Sequence, residues 1–200
     1  MKKIHFLIIN AKKTKEVIFG IPEGEEDPPI IIQGTQIERV SSYKYLGIYV
    51  DASLSWSAHI DYICSKAQQR IYFLRRLRSF GASKPIMLLF FQSIVLSVIM
   101  YGCTAWYGSL SVQRTNQIGR LICVYSKIVG QALEPIFQAA YTKKMLSLAR
   151  SITSDPTHVL FEEYELLPSN RRFRLPRYGR VKMKKAFVYQ SVLLLNKHGR

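Results

Sequence analysis

Apolar residues at Ile60, Ile63, Ala67, Ile71 and Leu74 recur at spacings of three and four, which lays one buried stripe along a helix. Ser55 or Ser57 can cap its start, the pattern holds to Ser79, and Gly81 supplies the stop. Ser83, with Pro85 in the first turn, predicts a second helix; residues 85–113 carry no charge, so this element belongs in the middle of a bundle. A third helix is expected at 114–130, with Ile118, Leu121, Ile122, Tyr125 and Ile128 or Val129 inward and Gly130 ending it. A fourth begins at Pro135 and runs to about Ser151. Residues 161–167 also read as helix-like, and 186–196 as a last short helix through Phe187, Val188, Val192, Leu193 and Leu195.

Before Trp56 the period changes from helical to strand-like. Residues 17–19 read as a strand, the acidic PEGEEDPP at 22–29 as a loop, and 30–33 with 36–40 as a hairpin turning at Gly34-Thr35. The run VSSYKYLGIYVDASLSW at 40–56 crowds Tyr43, Tyr45, Leu46, Ile48, Tyr49 and Val50 around Gly47, then supplies turn and helix-start chemistry from Asp51 to Ser55. On the residues alone it is an edge strand leading into a helix, with a glycine where another backbone passes close. The fold class expected is α+β: a small N-terminal antiparallel β-sheet, then a helical bundle, then a basic C-terminal segment ending in a short helix. A sheet this small needs a helix or neighbouring domain to cover it.

Charge narrows the partners. A formal net charge of +16 and a pI near 9.9 point to polyanions, nucleic acid first and acidic membrane as the competitor. Lys66, Arg70, Arg75 and Arg76 lie beside or away from the first helix's apolar stripe, as either a solvated or a phosphate-facing basic face. From Leu167 to Arg200 there are ten Lys or Arg and no acid, with Phe173, Tyr178, Phe187 and Tyr189 interleaved. Cations neutralise phosphates and rings stack on unpaired bases, so this composition suits single-stranded or structured RNA. Cys64, Cys103 and Cys123 are odd in number and widely spaced, which suggests neither a disulfide framework nor zinc, and reduced thiols inside the cell, in nucleus or cytoplasm, are expected. The start MKKIHFLIIN makes a poor signal peptide. The uncharged run is long enough, at about 20 residues, to cross a bilayer, with Tyr101, Trp106 and Tyr107 as an interfacial belt. Gln92, Ser93, Ser97 and Thr104 within it favour a buried core helix; a basic single-span membrane protein with helix 85–108 is the alternative.

Several short motifs stand in one order: Asn10 with Lys13, Thr14 and Lys15; Tyr45-Leu46-Gly47; Leu54-Ser55-Trp56 with His59; the helix AQQRIYFLRRLRSFG; Tyr101 and Trp106; Asp155 with His158; and LLPSNRRFR. Together they resemble the region that follows the catalytic palm in reverse transcriptases of LINE-type, non-LTR retrotransposons. The resemblance implies the end of the palm with its primer grip at 1–55, a thumb-like helical bundle at 56–154 and a basic nucleic-acid-binding region at 155–200. It places Lys13 and Lys15 beside the incoming nucleotide and Tyr45, Leu46 and Gly47 on the primer's terminal phosphates. Lys66, Arg70, Arg75 and Arg76 would lie along the primer–template duplex. Arg171, Arg172, Arg174, Arg177 and Lys182 would hold template RNA or target DNA. The partners implied are RNA, RNA–DNA or DNA duplex, and the palm and fingers portion of the polymerase. Val159 stands where the family usually has proline and Asn170 where it usually has glycine.

Nucleotidyl transfer needs carboxylates that hold a pair of divalent ions, and the family's aromatic-x-Asp-Asp turn has no counterpart among the isolated Asp27, Asp51, Asp61 and Asp155. A truncated copy, inert as a polymerase by itself, is therefore expected, with no cofactor of its own and Mg²⁺ confined to the intact enzyme. A rival chemistry is a facial triad for iron from His59, Asp61 and His158 or His198. The helix after Ala67 faintly resembles an N-terminal helical segment of the AlkB-type tRNA-modifying dioxygenase and methyltransferase family, but such a triad needs a jelly-roll barrel and the chain has too few strands.

Overall fold

The computed structural model describes residues 9–20, 28–177 and 185–198. Most of the acidic loop at 22–29, along with Tyr178 and Lys182, lies outside the described residues. The chain divides into two compact units, 1–59 and 60–200, and the architecture is α+β, with small sheets preceding a helical region.

Among its described residues the first unit holds three two-stranded sheets where one was expected. β2 (Ile31–Ile32) and β3 (Thr35–Gln36) form a hairpin, turned by Gln33 at φ +51° and Gly34 at φ +75°, one residue earlier than expected. β5 (Ser42–Tyr45) and β6 (Ile48–Asp51) form the second hairpin. The third pair is parallel: β1 (Lys15–Glu16), earlier than the strand expected at 17–19, lies beside β4 (Glu38–Arg39). Its register sets Lys15 against Glu38 and Glu16 against Arg39, and both pairs form salt bridges, the second at 2.9 Å. Only Ile37 separates β3 from β4, so the strand expected at 36–40 divides its pairing between β2 and β1, and among the described residues no continuous antiparallel sheet forms. Ile37, between β3 and β4, is buried.

Asp51 organises the exit from β6. Its carboxylate accepts from the Ser53 and Ser55 hydroxyls and from the amides of Ser55 and Trp56, both at 3.0 Å. Leu54 at φ +52° and Trp56 at φ +61° turn the chain sharply into α1 (Ser57–Ser79).

In the second unit the expected stripes bury as the periodicity requires, except that Ile71 of the α1 stripe is only half-buried. Ile60, Ile63, Ala67 and Leu74 of α1 are in the core, as are Ile118, Leu121, Ile122, Tyr125, Ile128 and Val129 of α5 (Val112–Val129). The Tyr125 hydroxyl donates to the Ala67 carbonyl, and its ring meets Phe91 at 5.5 Å. Arg78 donates to the carbonyls of Lys127 and Ile128 at 3.1 and 3.0 Å, satisfying the end of α5. Ser111 caps the start of α5, and Gly130 closes it at φ +74°.

The uncharged helix is interrupted, which corrects the expectation of one element over 85–108. α2 (Lys84–Phe90) passes through a π-helical stretch (Phe91–Leu96) into α3 (Ser97–Ile99), and α4 (Cys103–Trp106) follows a break. Ser93 and Ser97 donate back to the Leu89 and Ser93 carbonyls at 2.7 and 2.6 Å, competing with the backbone ladder. Gly102 at φ +58° then ends the helix, and the Trp106 indole bonds the Tyr101 carbonyl at 3.0 Å. The two arms, Lys84–Ile99 and Cys103–Ser109, are bent by 52°, and among the described residues no single helix is long and apolar enough to cross a membrane.

α6 (Glu134–Ser154) and α7 (Phe187–His198) pack together. Leu146, Ala149 and Ile152 of α6 share a core with Tyr164, Phe173, Val192 and Leu195. The helix expected at 161–167 is only a single turn at Phe161–Glu163. Tyr164 leaves it to bury its ring, with its hydroxyl 2.6 Å from Ser191 Oγ, and Leu166 bridges to Phe173 in antiparallel fashion.

Candidate nucleic-acid interface

Two regions, one in each unit, combine exposed cations with exposed rings. In the first unit the candidate residues cluster on the β5–β6 hairpin. Tyr45 pairs with Ile48 across a two-residue tip of Leu46 at φ +47° and Gly47 at φ +86°. Positive φ at both positions is the type I′ pattern, for which asparagine followed by glycine is the unstrained choice. Leu46 therefore carries backbone strain, and it is 73% exposed while Tyr45 is 63% exposed. With most of the side chain in solvent, burial offsets only part of that strain. Lys44, absent from the sequence expectations, lies over the Tyr49 ring at 5.2 Å on the same hairpin.

Lys13 is exposed, following an Asn10 whose side chain accepts from its amide at 3.3 Å. Lys15 is half-buried and salt-bridged to Glu38, so its charge is spent on joining β1 to β4.

In the second unit Lys66, Arg75 and Arg76 are exposed on α1, while Arg70 is half-buried and donates to the Lys66 carbonyl at 2.7 Å. Arg171 and Arg172 sit exposed in a tight loop closed by the Leu167 amide on the Arg172 carbonyl at 2.9 Å. Asn170 takes φ +54° there, a left-handed position that asparagine tolerates better than most residues that carry a Cβ. Asn196 of α7 fixes the loop's base, its side-chain oxygen accepting from the Phe173 amide at 2.8 Å and its NH₂ donating to the Phe173 carbonyl at 2.9 Å. Arg174 pairs with Glu165 at 3.4 Å, and Arg177 is exposed. A groove of about 830 Å³ along α6 and α7 adds Lys143, Arg150, Lys197 and His198 to the basic surface. None of these four is among the nucleic-acid-binding residues expected from sequence. Lys182 lies outside the described residues.

The titratable groups behave structurally. Burial pushes the Asp51 carboxyl up, but the hydrogen bonds from Ser53, Ser55 and Trp56 outweigh it and hold the carboxyl below its usual value. His59 is buried, its Nδ1 accepts from the Tyr49 amide at 3.4 Å, and burial holds its pKa below the usual value. Asp61 is bonded to Arg114. Among the described residues no three His, Cys, Asp or Glu side chains come together as a metal site, so His59, Asp61 and His158 or His198 do not assemble the facial triad weighed from sequence. Burial, chiefly, raises the Cys64 thiol to about 11, as suits a packing residue.

The class of molecule defined by these features is a basic α+β chain with exposed aromatic–cation surfaces. Known proteins narrow it. The chain is 26% identical over 105 residues to the "Retrovirus-related Pol polyprotein from type-1 retrotransposable element R1" of Bradysia coprophila, covering 51% of this chain and 10% of that protein. It is 28% identical over 101 residues to the "Probable RNA-directed DNA polymerase from transposon X-element" of Drosophila melanogaster, covering 49% of this chain and 11% of that protein. A second R1 polyprotein, from Nasonia vitripennis, is 25% identical over 125 residues, which is 60% of this chain and 33% of the relative. The chain thus spans a tenth to a third of the length of these relatives. Residues 56–97 match the family described as "Alkylated DNA repair protein alkB homolog 8, N-terminal". No solved structure matches. The chain is related in part to non-LTR retrotransposon polyproteins.

Proposed function

We propose that this chain is the part of a retrotransposon RNA-directed DNA polymerase that follows the catalytic palm, and that it holds primer and template during target-primed reverse transcription. The observation that carries this reading is the β5–β6 tip: Tyr45 and Leu46 are exposed there, and Leu46 is held strained at φ +47° beside Gly47, in the segment that resembles a primer grip. The likeness to retrotransposon polyproteins supports it, as does the charge of +16. Catalytic carboxylates belong to the rest of such an enzyme, so the role here is to hold the substrate.

The experiment is a titration of the chain with an RNA–DNA hybrid over a range of salt concentrations. The logarithm of the binding constant should fall linearly with the logarithm of salt, because bound cations displace counterions from phosphates. Changing Arg171 and Arg172 together to Ala should reduce that slope by about one unit per lost contact. Arg174 should contribute less, since Glu165 competes for it. Absence of binding, or binding indifferent to salt, would overturn the proposal. The match over residues 56–97 favours a second reading, kinship with the N-terminal segment of the AlkB-type family, confined to α1, α2 and the π-helical stretch that follows.

A further inference from the structure

The solvent face of α1 carries large rings that the fold does not use. Tyr72 is 63% exposed, Phe73 57% and Phe80, just past the helix end, 74%. The helix already buries its opposite side through Ile60, Ala67 and Leu74, so these rings are surplus to the core. Tyr72 and Phe73 meet edge to face at 5.6 Å, and the Arg76 guanidinium lies over Phe80 at 4.8 Å. One side of the Phe80 ring is thereby backed by a cation and the rest is open.

The surroundings select the occupant. From Tyr62 to Leu133 the chain has nine Lys or Arg and no Asp or Glu, and exposed Lys66, Arg75 and Arg76 flank the rings. Such a field attracts a polyanion and gives an acidic side no counterpart to repel it. A polyanion that also offers flat apolar faces is a nucleic acid with bases out of the stack. Phe73 and Phe80 are seven residues apart, about 10 Å along a helix, farther than the ~3.4 Å between stacked bases of one strand. Bases meeting both rings must therefore be splayed, and a duplex keeps its base faces covered.

We infer that the exposed face of α1 is a stacking platform for single-stranded nucleic acid, with Tyr72, Phe73 and Phe80 taking unpaired bases and Lys66, Arg75 and Arg76 taking the phosphates. This rests on the nucleic-acid reading above and adds to it the strandedness of the ligand at this face.

The test compares the full chain with a Tyr72→Ala, Phe73→Ala, Phe80→Ala variant, titrated with oligouridylate and separately with a blunt RNA–DNA hybrid. Because each stacked base is worth about 1–3 kcal/mol by alanine substitution, the variant should bind oligouridylate on the order of a hundredfold more weakly. Its salt slope and its affinity for the hybrid should stay the same, since no phosphate contact is removed. A parallel variant with leucine at all three positions keeps apolar bulk but has no ring; it should show the same loss, whereas a protein-docking surface would tolerate leucine. Circular dichroism and urea melts confirm that both variants fold. Unchanged oligouridylate affinity, equal losses for strand and hybrid, or rescue by leucine would overturn the inference. Failure of the unsubstituted chain to bind either probe would instead overturn the proposed function.

Discussion

Replacing Leu46 by asparagine separates what the hairpin tip does for the fold from what it does for a ligand. Leu46 sits at φ +47°, where a Cβ-bearing residue costs roughly 1–2 kcal/mol unless, like asparagine, it visits that region readily. About a quarter of the side chain is covered, since 73% is exposed; at 1.5–3 kcal/mol for full burial of a leucine, that contact contributes about 0.4–0.8 kcal/mol. The difference leaves Leu46→Asn more stable by about 0.5–1 kcal/mol. For a chain of this size that is a rise in Tm of about 1–4 °C, with slower amide exchange at the hairpin. Binding of an RNA–DNA hybrid should move the other way, weakening roughly fivefold, the equivalent of about 1 kcal/mol of lost apolar contact. Urea melts, hairpin amide exchange and hybrid titration read the two effects separately. A Leu46→Asn chain that is less stable than the parent, or that is more stable and binds equally well, would refute the idea that the strain is kept for a ligand.

Other measurements probe the scaffold. Asp51 and His59 both have depressed pKa values when folded, so each contributes stability that is complete above its unfolded value and lost as pH falls. The histidine component should disappear below about pH 6.5 and the aspartate component below about pH 4; urea melts at stepped pH would show two phases, and His59→Leu should abolish the first. Asn196→Ala leaves the Phe173 amide and carbonyl without their side-chain partner and should cost about 1–3 kcal/mol, read as faster amide exchange in the 166–173 loop. A thiol reagent should label exposed Cys123 in the native chain, with buried Cys64 and Cys103 reacting only on unfolding; rapid native labelling of Cys64 would contradict the packing of α1.

The helices were legible because their cores are local patterns. In α5 every residue named from the period of three and four is buried, and Gly130 closes it as expected, whereas the Ser111 cap starts it two residues before the expected 114. In α7 the same rule misplaced Leu193, which is 41% exposed, since a run of leucines carries no period to choose among them. The break at Met100–Gly102 was hidden for a related reason: in an uncharged stretch no polar face marks where helical geometry fails, and serines bonding back to the preceding turn look like ordinary helix surface. Pairing between distant segments could not be read at all. The parallel β1–β4 pairing brings together complementary charges twenty-three residues apart, and the base of the Arg171–Arg172 loop is bonded to Asn196, which reaches back to Phe173. At the candidate interface the cations of α1 and of the 171–177 segment stand out in the sequence, whereas Lys44, the cations along α6 and α7, and the rings Tyr72 and Phe73 do not. The available signal was that both are large and apolar yet fall off the 60, 63, 67, 71, 74 stripe.

Hydrogen exchange read by mass spectrometry, with and without an RNA–DNA hybrid bearing a single-stranded RNA overhang, tests most directly whether these surfaces hold nucleic acid. Slowed exchange is expected in three separate places: the β5–β6 hairpin around 43–48, the solvent side of α1, and the loop at 167–172. Uniform exchange in the presence of saturating hybrid, or slowing confined to segments outside all three, would contradict it.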